Sequence, residues 1–134
     1  MNIKRITIAG LAIFVFFQAL DYFFHGVVLA STYASLASLW RPDMENYMWL
    51  MSLCSLVFSF VFVFMFAKGY EGRGVFEGIR FGFIISLLIN VPGCFGQFAM
   101  YPVPFSLAMI WLAFGFAEFI AAGIIVSVIY RPSK

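Results

Sequence analysis

The chain has 134 residues, 64% of them hydrophobic and 10% charged, with a mean hydropathy of +1.02. That balance excludes an ordinary soluble domain, which would show water far too much Phe, Val and Leu. The formal net charge of +2 is small and no basic run with interleaved aromatics occurs, so no nucleic acid partner is expected; the lipid bilayer is.

Four apolar segments lie between the charges, near residues 6 to 30, 47 to 67, 80 to 100 and 105 to 130. Each is long enough to cross a hydrocarbon core of about 30 Å at 1.5 Å per residue. The runs lack the alternation of barrel strands. An all-α, single-domain, four-helix membrane bundle is predicted. Lys4, Arg5, Lys68, Arg73, Arg80, Arg131 and Lys134 fall on one side and only Arg41 on the other, so both termini are expected inside. Trp40, Tyr47, Trp49 and Tyr101 then mark the outer interface, and Tyr70 and Tyr130 the inner one. A cleaved signal peptide also begins with basic then apolar residues, but this run exceeds the usual apolar region and contains Asp21 and His25. The first segment is expected to be a retained helix.

In the first helix Gln18, Asp21 and His25 are spaced by three and four, which keeps them within an arc of about 60°. Residues 31 to 46, STYASLASLWRPDMEN, follow as the one substantial outer segment. There Tyr33, Leu36, Leu39 and Trp40 recur at helical spacing. A short interfacial helix ending at Arg41-Pro42 is predicted, with a lid or docking surface as the functional alternative. The second helix repeats the polar spacing with Ser52, Ser55 and Ser59. KGYEGRG makes a short inner turn whose glycines lack the order of a phosphate loop.

The third helix carries Ser86, Asn90, Gly93, Cys94 and Gln97 on one face, and Asn90-Val-Pro-Gly predicts a kink or hinge at Pro92 and Gly93. The tight outer turn YPVP makes helices three and four antiparallel neighbours. The fourth helix centres on Glu118, with Gly115, Ala121 and Ala122 beside it and Phe114 on the same face. A two-hairpin repeat has only MWLMS against MIWLAF to support it.

Small and polar residues belong inside a bundle rather than against lipid, so the four stripes should meet there. Gln18, Asn90 and Glu118 fall near the midplane, with Asp21 slightly outward. His25 and Gln97 lie about 10 Å further out. The polar cluster Gln18, Asp21, His25, Asn90, Gln97 and Glu118 thus traces a line from the middle to the outside, and nothing similar leads inward. Asp21 and His25 suit a carboxylate to imidazolium contact. Glu118 lacks a basic partner at its depth and is the best candidate to carry a proton or meet a cation. Hydrogen-bonding glue between helices is the plainer role for Gln18, Asn90 and Gln97.

No cofactor is identifiable. Asp21, His25 and Glu118 are metal candidates only if they converge, and the repeated Glu-x-x-His motif of di-iron bundles is missing. One histidine excludes bis-histidine haem within one chain. Cys54 and Cys94 lack CxxC spacing and read as packing residues. With no serine elbow, triad spacing or nucleotide motif, an enzyme is not expected.

His25-Gly26, Leu29, Tyr33, Leu39-Trp40-Arg41-Pro42 and Glu77-Gly78-Ile79-Arg80-Phe81-Gly82 together resemble a group of small bacterial four-helix inner-membrane proteins of unknown function, with HGxxL...LWRP and GxRxG patterns. The resemblance implies a bacterial cytoplasmic membrane and a shared fold, and brings no activity. Two functions are expected. The first is a non-catalytic accessory or assembly subunit, packed against larger membrane subunits or against itself. The alternative is a small proton, cation or solute transporter, or a metal- or cofactor-binding bundle, using Asp21, His25 and Glu118.

Overall fold

The computed structural model describes residues 1–131; Lys134, one of the basic residues used for orientation, lies outside them. Helix α1 (Ile3–Phe23) opens on Asn2, whose side chain accepts the backbone N–H of Arg5 at 3.1 Å. This satisfies one of the donors a helix start leaves free. At Phe24–Val28 the helix widens into a π turn, closed by the Leu29 N–H donating to the Phe24 carbonyl at 2.9 Å. Helix α2 (Ala30–Ser35) and a 3-10 turn at Ala37–Leu39 follow. The chain becomes extended at Trp40, just before Arg41-Pro42. A second 3-10 turn, Met44–Tyr47, runs into α3 (Met48–Lys68), and α4 (Val75–Met100) and α5 (Phe105–Ile129) complete the molecule.

Among the described residues there is no strand. Four helical stretches, Ile3–Val28, Met44–Lys68, Val75–Met100 and Phe105–Ile129, are each 25 or 26 residues long and apolar enough to cross a membrane. This is the build of a multi-pass membrane protein, as the apolar runs predict. The third stretch starts earlier than the expected residue 80 because Glu77 is folded back and buried in the first turn of α4. Pro92 does not end its helix: α4 is continuous from Val75 to Met100, with Pro92 and Gly93 on its exposed side.

Helix α1 lies between α3 and α5, and α4 packs along α5. Lipid is as apolar as a leucine side chain, so close backbone approach must do what hydrophobic burial does in water. Helices α4 and α5 achieve it through glycine. A Cβ on Gly78 would overlap the Gly123 carbonyl, one on Gly123 would overlap the Gly78 carbonyl, and one on Gly82 would overlap the Phe119 carbonyl. The Glu77 to Gly82 motif is therefore a packing surface.

The half of the bundle nearest residues 69–74 is filled by rings. Phe17 meets Phe119 at 5.6 Å and Phe58 at 5.9 Å between ring centroids. Phe62 and Phe66 continue the layer against Phe81 at 4.8 and 5.4 Å. Tyr70 and Tyr130, 5.7 Å apart, close it at the end. In the connecting turn Gly72 and Gly74 have φ of +80° and +68°, which only glycine adopts without strain. Glu77 holds this turn from below, accepting the N–H groups of Glu71 at 2.6 Å and Arg73 at 2.9 Å. Glu71 in turn pairs with Arg73 at 2.9 Å and Arg80 at 3.0 Å.

Candidate functional site

The polar residues gather in the other half, between α1, α5 and the segment from Ala30 to Trp40. Glu118, on the central turns of α5, is 8% exposed. Among the described residues its Oε1 is buried and receives no hydrogen bond. Across the helix interface the Asp21 carboxyl lies within hydrogen-bonding reach of it. Two carboxyl groups can share a hydrogen bond only when one of them carries the proton.

The line continues outward. His25 Nε2 is 3.8 Å from Asp21 Oδ1, the i, i+4 pairing expected from the sequence. The opposite ring nitrogen, Nδ1, shares a short hydrogen bond with the Tyr33 hydroxyl. Trp111 Nε1 donates to that same hydroxyl at 2.8 Å, and Trp40 Nε1 donates to the Tyr33 backbone carbonyl at 3.0 Å. Glu118, Asp21, His25 and Tyr33 therefore form one connected series from the middle of α5 to the 31–46 end.

Aromatic rings wall it. Phe24 and Phe114 stack with centroids 3.7 Å apart and planes at 1°, and His25 stands edge-on to both. Trp40 meets the Tyr33 ring edge-on at 5.5 Å. Trp111, Phe114 and Glu118 recur at spacings of three and four, so one face of α5 supplies three members. Asp21 and His25 side chains are 44% and 40% exposed, whereas Glu118 is sealed in. The series is open at one end and closed at the other, with Phe119 forming the start of the aromatic floor next to Glu118.

Burial pushes the Tyr33 phenol above its ordinary value near 10; the Trp111 hydrogen bond opposes this and the Asp21 charge adds to it. At neutral pH the group is a phenol with its proton in place.

Several expected residues sit elsewhere. Gln18 faces α3, its Nε2 donating to Ser52 Oγ at 2.9 Å. Asn90 faces α5, donating to Ser86 Oγ at 2.8 Å and filling the space beside Gly115, where a Cβ would stand 2.5 Å from its amide. These are the interhelical polar contacts the stripes predict. Gln97, placed on the same inward line by its spacing, is exposed near the end of α4. Cys54 is exposed, Cys94 is buried, and both are free thiols. Asp21, His25 and Glu118 lie in series, not around a common centre, and among the described residues no group of three His, Cys, Asp or Glu is placed to hold a metal ion.

Sequence spacing did not select Trp111, Phe24 or Glu77, and it assigned Tyr33 only to an amphipathic surface helix. The half-buried face of that segment is nonetheless the predicted one: Tyr33, Leu36, Leu39 and Trp40. Comparison with protein-family models, with curated proteins and with solved structures finds no match to this chain.

Proposed function

We propose that this chain is a small membrane carrier of protons or cations, whose Glu118 and Asp21 carboxyl pair takes up and releases a proton through His25 and Tyr33 toward the outer side. The observation that carries the reading is the connected series from buried Glu118 to Tyr33. A carboxyl group buried in a membrane interior is costly and marks an ion or proton route by default. The aromatic layer of Phe17, Phe62, Phe66, Tyr70 and Tyr130 is the inner seal, and passage would require it to part.

The same proposal includes the orientation, with residues 31–46 outside and both termini in the cytoplasm, and membership of the bacterial inner-membrane group that the HGxxL...LWRP pattern resembles. An accessory subunit is the other reading. Broad apolar faces support it, with Trp49, Met51 and Leu88 each more than 60% exposed, but lipid covers such faces as well as a partner does. The polar series has no purpose in that reading beyond packing.

The test is infrared spectroscopy of the purified protein in liposomes across a pH series. A protonated-carboxyl stretching band that titrates, and that is lost in both Glu118→Gln and Asp21→Asn, is expected. A spectrum without a protonated carboxyl at any pH between 5 and 8, the span over which most proteins are stable, would remove the proposal.

A further inference from the structure

Tyr33 occupies the one position where the series meets the segment that covers it. Its hydroxyl faces two nitrogens, Nδ1 of His25 and Nε1 of Trp111. An indole nitrogen is only ever a donor, so the Trp111 N–H takes a lone pair of the phenol oxygen. The phenol's own hydrogen then has His25 Nδ1 as its acceptor. An imidazole that accepts at Nδ1 must, when neutral, carry its hydrogen on Nε2. That nitrogen is the one facing Asp21.

We propose that Tyr33 is the positioning residue of this site: held by Trp111, it donates to Nδ1 of His25, fixes the imidazole as the Nε2–H tautomer aimed at Asp21, and by the same bond latches the outer segment over the site. The inference rests on the proton-handling reading and adds to it which atom passes the proton and what controls access. A proton leaving Nε2 goes to the Asp21 carboxylate, and Nδ1 is refilled from the Tyr33 hydroxyl, which regains its own from the outer side.

A doubly protonated imidazole has no acceptor nitrogen. The Tyr33 O–H then loses its partner, and the latch with it. The titratable side chains around His25 are Asp21 from α1, Tyr33 from α2 and, behind Asp21, Glu118 from α5. The π turn at Phe24–Val28 lies between the imidazole and the latch and is where the segment would swing.

His25 is the only histidine in the chain, so 15N-histidine labelling of the full protein in detergent micelles gives one imidazole and no assignment problem. The expected wild-type spectrum is a single Nε2–H tautomer at neutral pH, with Nδ1 at the position of a hydrogen-bonded acceptor. Tyr33→Phe should move Nδ1 toward free imidazole and mix the tautomers. Trp111→Phe, which keeps a ring in place, should give a smaller shift in the same direction and serves if Tyr33→Phe does not fold. Amide exchange across residues 30–39 should rise when wild type is acidified until His25 is doubly protonated, and should already be raised at neutral pH in Tyr33→Phe.

An Nδ1–H tautomer in wild type, an unchanged imidazole in both variants, or exchange indifferent to His25 protonation would overturn the inference. These results are independent of the infrared test: a fixed tautomer without a titrating carboxyl would sink the proton-handling reading and leave the latch, and the reverse would sink the latch alone.

Discussion

Gly78 and Gly123 bring α4 and α5 together at their backbones, each occupying the place where the other's Cβ would have to sit. The contact partner is a carbonyl on each side, which cannot rotate away as a side chain can. Gly123→Ala should therefore force the helices apart, with destabilisation of about 1–3 kcal/mol, the range of an overpacked core. Reversible unfolding in mixed micelles measures it; a change within experimental scatter would mean that the helices are free to slide. Gly93→Ala, where a Cβ meets open space, is the control and should unfold like wild type.

Glu77 accepts two backbone N–H groups of the 69–74 turn from a buried position. Glu77→Ala removes a charged acceptor from both donors at once and should cost about 1.5–3 kcal/mol, with amide exchange at Glu71 and Arg73 rising sharply. Glu77→Gln keeps one acceptor oxygen and should fall between the two. Unchanged exchange at both amides in the alanine variant would show that the turn holds itself.

Replacing Glu118 by Met removes a buried carboxyl oxygen without a hydrogen bond and retains similar volume. The variant should be more stable than wild type by about 1 kcal/mol or more, as when buried ionic groups give way to apolar ones, while losing the titrating carboxyl signal. Gain of stability with loss of function separates a working residue from a packing one. Destabilisation would instead identify Glu118 as part of the scaffold.

Gln18 and Ser52 join α1 to α3 by a single side-chain hydrogen bond. Ser52→Ala should cost only about 0.6 kcal/mol, the average for such bonds in a membrane protein. It should leave the His25 spectrum untouched, since the bond points away from the polar series. A shift of the imidazole signal on this change would couple α3 to the site.

The spans were legible because each apolar run outlasts any soluble alternative. Asp21, His25, Asn90 and Glu118 were legible because a polar residue in such a run has only the interior to face. Gln97 did not follow that rule: it lies near the end of α4, where a side chain need not turn into the bundle to escape lipid. Trp111 and Phe114 carry no contrast in a helix that is apolar all round, so only coordinates reveal that they line the site. Tyr33 gave the right face but the wrong partner, since periodicity distinguishes buried from exposed without saying what does the burying. Glu77 was hidden among the charges of a turn, and glycine pairs such as Gly78 and Gly123 sit too far apart in sequence to announce their contact.

The π turn at Phe24–Val28 also has an arithmetic consequence. Its closing bond spans five residues where an α-helix spans four, so the strip from Asp21 to Tyr33 contains one residue more than an unbroken helix would use. Deleting Val27, which is exposed, would let the turn relax to ordinary α-helix and would rotate everything beyond it by about 100° relative to α1. Tyr33 would then face away from His25 with no atom of the site itself altered. The spare residue thus acts as a setting of angle: it aims the outer segment at the imidazole, and a chain one residue shorter would keep the bundle and lose the alignment.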